Sequence, residues 1–118
     1  VTLSIELPWP HKALWPNGRA HWRTKASQTA KHRQWGYIGA SAAIASARGL
    51  PPRDERVCLT LTFYPKPRGP APDRDNALGS CKAYLDGIAQ AMGVNDRNFD
   101  ARVIISDVRS SKIIVEIA

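Results

Sequence analysis

A chain of 118 residues has room for one domain with one modest core. With 43% hydrophobic and 23% charged residues it has the balance of a soluble globular protein, and the absence of any apolar run near ~20 residues or of a secretory-signal pattern excludes a helical membrane span. The formal charge of +7 favours a polyanionic partner, most commonly nucleic acid.

The alternation of Val1, Leu3, Ile5 and Leu7 against Thr2, Ser4 and Glu6 predicts a half-buried strand, ended by Pro8 and Pro10. The segment "PWPHKALWPNGRAHWRTKA" reads as a loop, with Asn17-Gly18 as a turn signal. Each of Trp9, Trp15 and Trp22, taken singly, reads as an anchor of this loop on the core. Interleaved with Lys12, Arg19, His21, Arg23 and Lys25, they also suit base stacking and phosphate contact.

A helix is predicted from about Thr24 to Arg48, capped by Thr24 or Ser27, with Trp35, Ile38, Ala42 and Ala45 facing the core. Lys25, Lys31, His32 and Arg33 load its first turns with positive charge against the helix dipole, either for a ligand or as a solvated basic face. Gly49 fits the position just past the helix, and Leu50-Pro51-Pro52 stops it. A second strand spans Val57 to Tyr64, burying Val57, Leu59, Leu61 and Phe63. The proline-rich "PKPRGPAPD" follows as a loop. A second helix is predicted from Asp75 to about Met92, then strands at Ala101 to Val108 and Lys112 to Ile117, joined as a hairpin around "RSSK". Cys58 and Cys81 read as small core residues of a reduced, cytosolic protein, and two cysteines with three unclustered histidines make no zinc site. The expected fold class is α/β (α+β): a single domain over residues 1–118, with a mixed sheet and two helices in the order β-α-β-α-β-β.

The second helix carries the chemistry. Leu78, Cys81, Leu85, Ile88 and Met92 form an apolar stripe. Asp75, Gly79, Lys82 and Asp86 form another edge, about 100° away on the helical wheel. Asp73, just before the helix, can turn toward that edge. One reading makes Asp73, Asp75 and Asn76 helix caps and Lys82–Asp86 an ordinary i,i+4 pair. The other makes the carboxylates ligands of Mg²⁺, a hard cation that relieves their repulsion and keeps several waters. Asp96, in the following "GVNDRNFD", is then the natural third ligand if its loop folds back, and Lys82 adds positive charge for a phosphoryl transition state.

Three blocks in order carry a family resemblance: the opening strand into "LPWP" with "NGRAHW"; "DRDN" with "KAYLDGIAQA"; and "ND" after "GV". The chain resembles the RusA-type Holliday junction resolvases, from about Leu3 to Asp107. That resemblance implies a homodimeric, metal-dependent endodeoxyribonuclease of the bacterial cytoplasm or the phage-infected host. It would cut two opposed strands of a four-way DNA junction, using Mg²⁺ with Mn²⁺ as a substitute. It implies Asp73, Asp75 and Asp96 as metal-binding and catalytic acids and Lys82 as the catalytic lysine. Two departures stand out: Lys82 lies seven residues after Asp75, a longer gap than the best-known pattern, and Asn95 stands where the family usually has an acid. Arg19, His21, Lys66 and Arg68 are candidate DNA-phosphate contacts. The competing readings are a catalytically idle basic DNA-binding module and a nuclease of the same fold acting on other branched DNA.

Overall fold

A computed structural model describes residues 3–47 and 56–118. Strand β1 (Leu3–Pro8) buries Leu3, Ile5 and Leu7 and exposes the residues between them. The loop after it makes a 3₁₀ turn at Lys12–Leu14 and enters α1 (Trp22–Ala47). Strand β2 (Val57–Tyr64) follows, then α2 (Arg74–Ser80), α3 (Lys82–Met92), a second 3₁₀ turn at Asp96–Asn98, β3 (Phe99–Ile105) and β4 (Lys112–Ile117). The predicted stop of the first helix at Arg48, Gly49 and Leu50-Pro51-Pro52 lies outside the described residues, as do Val1 and Thr2. Among the described residues no helix is long and apolar enough to cross a membrane.

The fold is mixed α+β, as expected. The sheet order is β1-β4-β2-β3, with β4 antiparallel to both of its neighbours and β3 parallel to β2. The expected hairpin does not form. Chain 106–111 passes over the end of β2, where the Ser106 N–H donates to the Phe63 carbonyl (2.9 Å) and the Ser111 N–H to that of Pro65 (3.2 Å). β4, which buries Ile113, Val115 and Ile117, takes a central place between β1 and β2, and β3, which buries only Val103, takes the edge. Six connecting residues also exceed a tight two-residue hairpin turn.

Other expectations are corrected by packing. The predicted single second helix is two. At Cys81 the N–H turns to the Leu78 carbonyl at 3.1 Å, a tight i→i−3 bond, before α3 restarts. Gly79 weakens the ladder here, and the Ser80 hydroxyl donates to the Ala77 carbonyl at 2.7 Å. Cys81 is buried, and burial pushes its thiol up to about 12. Cys58 is exposed, being out of phase with Val57 and Leu59.

Helix α1 begins at Trp22, with the His21 carbonyl accepting from the Lys25 N–H, so Thr24 and Ser27 are helical residues and not its caps. Its core face is His32, Gly36 and Ala40; Trp35 is half-buried, while Ile38, Ala42 and Ala45 face outward. The cause is close approach to α3. A Cβ on Gly36 would lie 2.4 Å from the Tyr84 carbonyl oxygen, and one on Gly87 2.0 Å from that of Arg33. Small residues make this interface, so a search for large apolar residues picks the wrong face.

Candidate functional site

The proline-rich loop after β2 ends at Asp73, which caps α2. The Asn76 N–H donates to Asp73 Oδ1 (2.8 Å) and the Asn76 amide Nδ2 to Oδ2 (2.9 Å). These bonds satisfy one orphan helix N–H and fix the orientation of the carboxylate. A carboxylate accepts about four hydrogen bonds, so each oxygen keeps a free lone pair. Capping and metal ligation are therefore compatible at Asp73. One residue into the helix, Asp75 is exposed in the first turn, where the dipole favours an anion.

Asp75, Gly79, Lys82 and Asp86 line one concavity of about 440 Å³, despite the break at Cys81. Asp96 closes it from the 3₁₀ turn, and Leu78, Leu85, Phe99 and Ala101 form its apolar wall. The turn is placed by the end of α3. Gly93 adopts φ 70°, its N–H reaches the Gln90 carbonyl at 3.2 Å, and the Val94 N–H reaches that of Ala89 at 3.1 Å. This left-handed cap reverses the chain so that Asp96 returns beside α3. The Asn95 side chain accepts from the Arg97 N–H at 3.0 Å and so caps the turn. Asn95 thus has a structural task.

From spacing Asp86 reads as the i,i+4 partner of Lys82 on the edge with Asp75, and it is not among the site residues that the sequence singles out. The structure brings it beside Asp96. Burial, then a hydrogen bond with Asp96 and the charge of that carboxylate, raise the Asp86 carboxyl above the usual range; Arg33 and Lys82 pull it weakly the other way. Like charges held together are what a divalent cation relieves. The donors are all carboxylate oxygens, which suits a hard cation such as Mg²⁺. Among the described residues no three His, Cys, Asp or Glu side chains converge tightly enough to form a finished metal cage. The acids share a hollow and do not yet share a point.

Asp73 borders a neighbouring hollow of about 400 Å³ with Lys66, Arg68 and Asn17. Arg109, from the β3–β4 connection, donates to the carbonyls of Lys66 (2.8 Å) and Gly69 (2.9 Å) and so ties this loop down. Arg19 and His21 are exposed just before α1. The four phosphate-contact candidates therefore divide into two groups, one on each loop. Lys25 joins them as a residue whose position only the fold reveals: with Thr29 and Pro16 it lines a third hollow that shares Gly79, Lys82 and Asp86. His32, counted among the basic residues, is 1% exposed and packs against Tyr84 and Trp35. Its Nε2 accepts from the His11 N–H (3.1 Å), and its Nδ1 donates to the Gln28 carbonyl (2.8 Å). It is a neutral structural residue that ties the first loop to α1.

No protein-family model matches the chain. An uncharacterized protein of Xylella fastidiosa (strain Temecula1) is 44% identical over 105 residues, a match covering 88% of this chain and 67% of that protein.

Proposed function

The chain belongs to the same family as the uncharacterized Xylella fastidiosa protein, and we propose that it is a metal-dependent endodeoxyribonuclease that resolves four-way DNA junctions, in the manner of the RusA-type resolvases it resembles. The observation that supports this best is the meeting of Asp75, Lys82, Asp86 and Asp96 around one concavity in a protein of net charge +7. Asp86 and Asp96 repel each other at this hollow, which costs stability where they meet. A cation between those acids and a phosphate gives the arrangement a use.

In this reading Asp75 and Asp96, which line the same hollow, would hold Mg²⁺ or Mn²⁺ with Asp86 as a further oxygen donor, and Asp73 would join them from the neighbouring hollow. When bound, the ion supplies Lewis acidity and lowers the pKa of a coordinated water. Asn76 orients the Asp73 carboxylate, and Asn95 holds the turn that presents Asp96. Lys82, exposed on the first turn of α3, offers its ammonium to charge developing on the scissile phosphate. Lys66 and Arg68 on one side, with Arg19, His21 and Lys25 on the other, contact the flanking backbone. A homodimer would put two such centres on one junction and make the two cuts symmetric.

A panel of labelled substrates tests the substrate class. The expected result is paired nicks in opposed strands of a four-way junction with Mg²⁺ or Mn²⁺, none in EDTA, and little cutting of linear duplex. Preferred cutting of flaps or forks would reassign the substrate within the same chemistry. A second reading has one observation in its favour: both oxygens of Asp73 already accept from Asn76, one from its backbone N–H as a helix cap and one from its side-chain amide. In that reading the chain is a basic DNA-binding module without catalysis, and junction binding without cutting in either metal would select it.

A further inference from the structure

Three of the four tryptophans have a packing role. Trp9 and Trp15 stack at 5.5 Å and both meet Phe63, and the Trp15 indole N–H donates to the Pro10 carbonyl at 3.2 Å. Trp35 lies against His32 at 4.9 Å. Trp22 is different. It is 66% exposed, the most exposed large hydrophobic residue among those described. A single exposed apolar residue means little by itself; its surroundings carry the argument.

The His21 ring stacks on the indole with centroids 5.7 Å apart and planes at 29°, and the Arg23 guanidinium lies 5.3 Å from the indole centroid. His21 Nδ1 accepts from the Arg23 N–H at 3.1 Å, so the flanking groups are held by the backbone. The indole is thus pre-oriented at the start of α1 and largely open to solvent. Lys25, one turn further along the same face, lines the hollow that contains Lys82 and Asp86. A largely exposed aromatic ring beside Arg23, one turn from a lysine whose hollow shares Lys82 and Asp86 with the candidate site, matches an unpaired nucleobase with its phosphates.

Resting on the nucleic-acid reading above, we propose that Trp22 is a stacking platform for an unpaired base at the branch point of DNA, with Arg23 and Lys25 contacting the adjoining phosphates. A base inside continuous duplex presents no free face, so this contact discriminates branched from linear DNA. Trp22 is a positioning residue: it touches the substrate away from the reacting phosphate.

The test uses a four-way junction carrying 2-aminopurine at the branch point, titrated in EDTA so that nothing is cut, with linear duplex as control. Wild type is expected to change the 2-aminopurine fluorescence. Trp22→Ala is expected to lose that change and about tenfold in junction affinity while binding duplex as before. Trp22→Phe, which keeps an aromatic face, is expected to recover most of both. If wild type binds the junction and Trp22→Ala binds it equally with the same fluorescence change, the stacking proposal falls and the nuclease reading stands. If Trp22→Ala instead loses self-association in gel filtration, the ring serves a second copy of the chain, and the proposal falls. If wild type binds no branched DNA, both readings fall together.

Discussion

At the residue scale, the decisive point is that one side chain can cap a helix and ligate a metal. Asp73 spends one lone pair on each oxygen with Asn76 and keeps the others. Asn is as good an N-cap as Asp, whereas Ala is not. Asp73→Asn is therefore expected to unfold within about 0.5 kcal/mol of wild type in urea, and Asp73→Ala to lose about 1 kcal/mol. Both are expected to lose at least about a hundredfold in junction cleavage, because the anionic ligand is gone in each. Full activity in Asp73→Asn would reduce Asp73 to a cap. His32 allows a separate prediction. Burial, outweighing the Gln28 carbonyl, holds it below its usual value, with His11 and Lys31 adding to the shift. An unfolded histidine titrates near pH ~6.5. The stabilising effect of neutral His32 is therefore complete above that pH and is lost as pH falls through the lower folded value. Denaturation midpoints at pH 7.5 and pH 5 are expected to differ in wild type and to converge in His32→Gln. An undiminished difference in that variant would assign the pH dependence to another group.

At the element scale, α1 and α3 pack backbone to backbone through Gly36 and Gly87. Gly87→Ala would force a Cβ to within 2.0 Å of a carbonyl oxygen in the next helix, so it is expected to cost about 2–3 kcal/mol in chemical denaturation. Gly79→Ala meets only the Pro16 ring and is expected to cost clearly less. Equal losses would mean that the interface relaxes freely. The same packing marks where the sequence is legible. The two-residue period of β1 and β2 places their buried residues correctly, because one covered face leaves a strand no choice. The 3.6-residue period of α1 misleads, because its contact surface is made of Gly and Ala, and Ile38 is left 54% exposed. On the second helix the edge of Asp75, Lys82 and Asp86 is legible from spacing, and it survives a one-residue break that spacing does not reveal. The pairing of Asp86 with Asp96 depends on the reversal at Gly93, a tertiary event that residue spacing does not encode.

At the scale of the whole molecule, the sheet order turns two sequence-distant segments into one surface. The α2–α3 crossover returns the chain parallel to β2, so β3 and the turn before it lie beside the acidic edge. A β3–β4 hairpin, expected from a polar turn alone, gives way to an order in which β4 pairs with β1 and β2 and β3 takes the edge. The chain carries a formal charge of +7, Lys25 lines a hollow that shares Lys82 and Asp86 with the acidic one, and the proposed function would give this juxtaposition a use in holding a polyanion around a cation. The most direct test is cleavage of a synthetic four-way junction in Mg²⁺ by wild type and Asp75→Asn side by side, with binding followed in EDTA. The account predicts that both bind alike and that only wild type nicks opposed strands. Equal cutting by the variant, or binding without cutting by wild type in Mg²⁺ and Mn²⁺ alike, would contradict a catalytic metal centre at this edge.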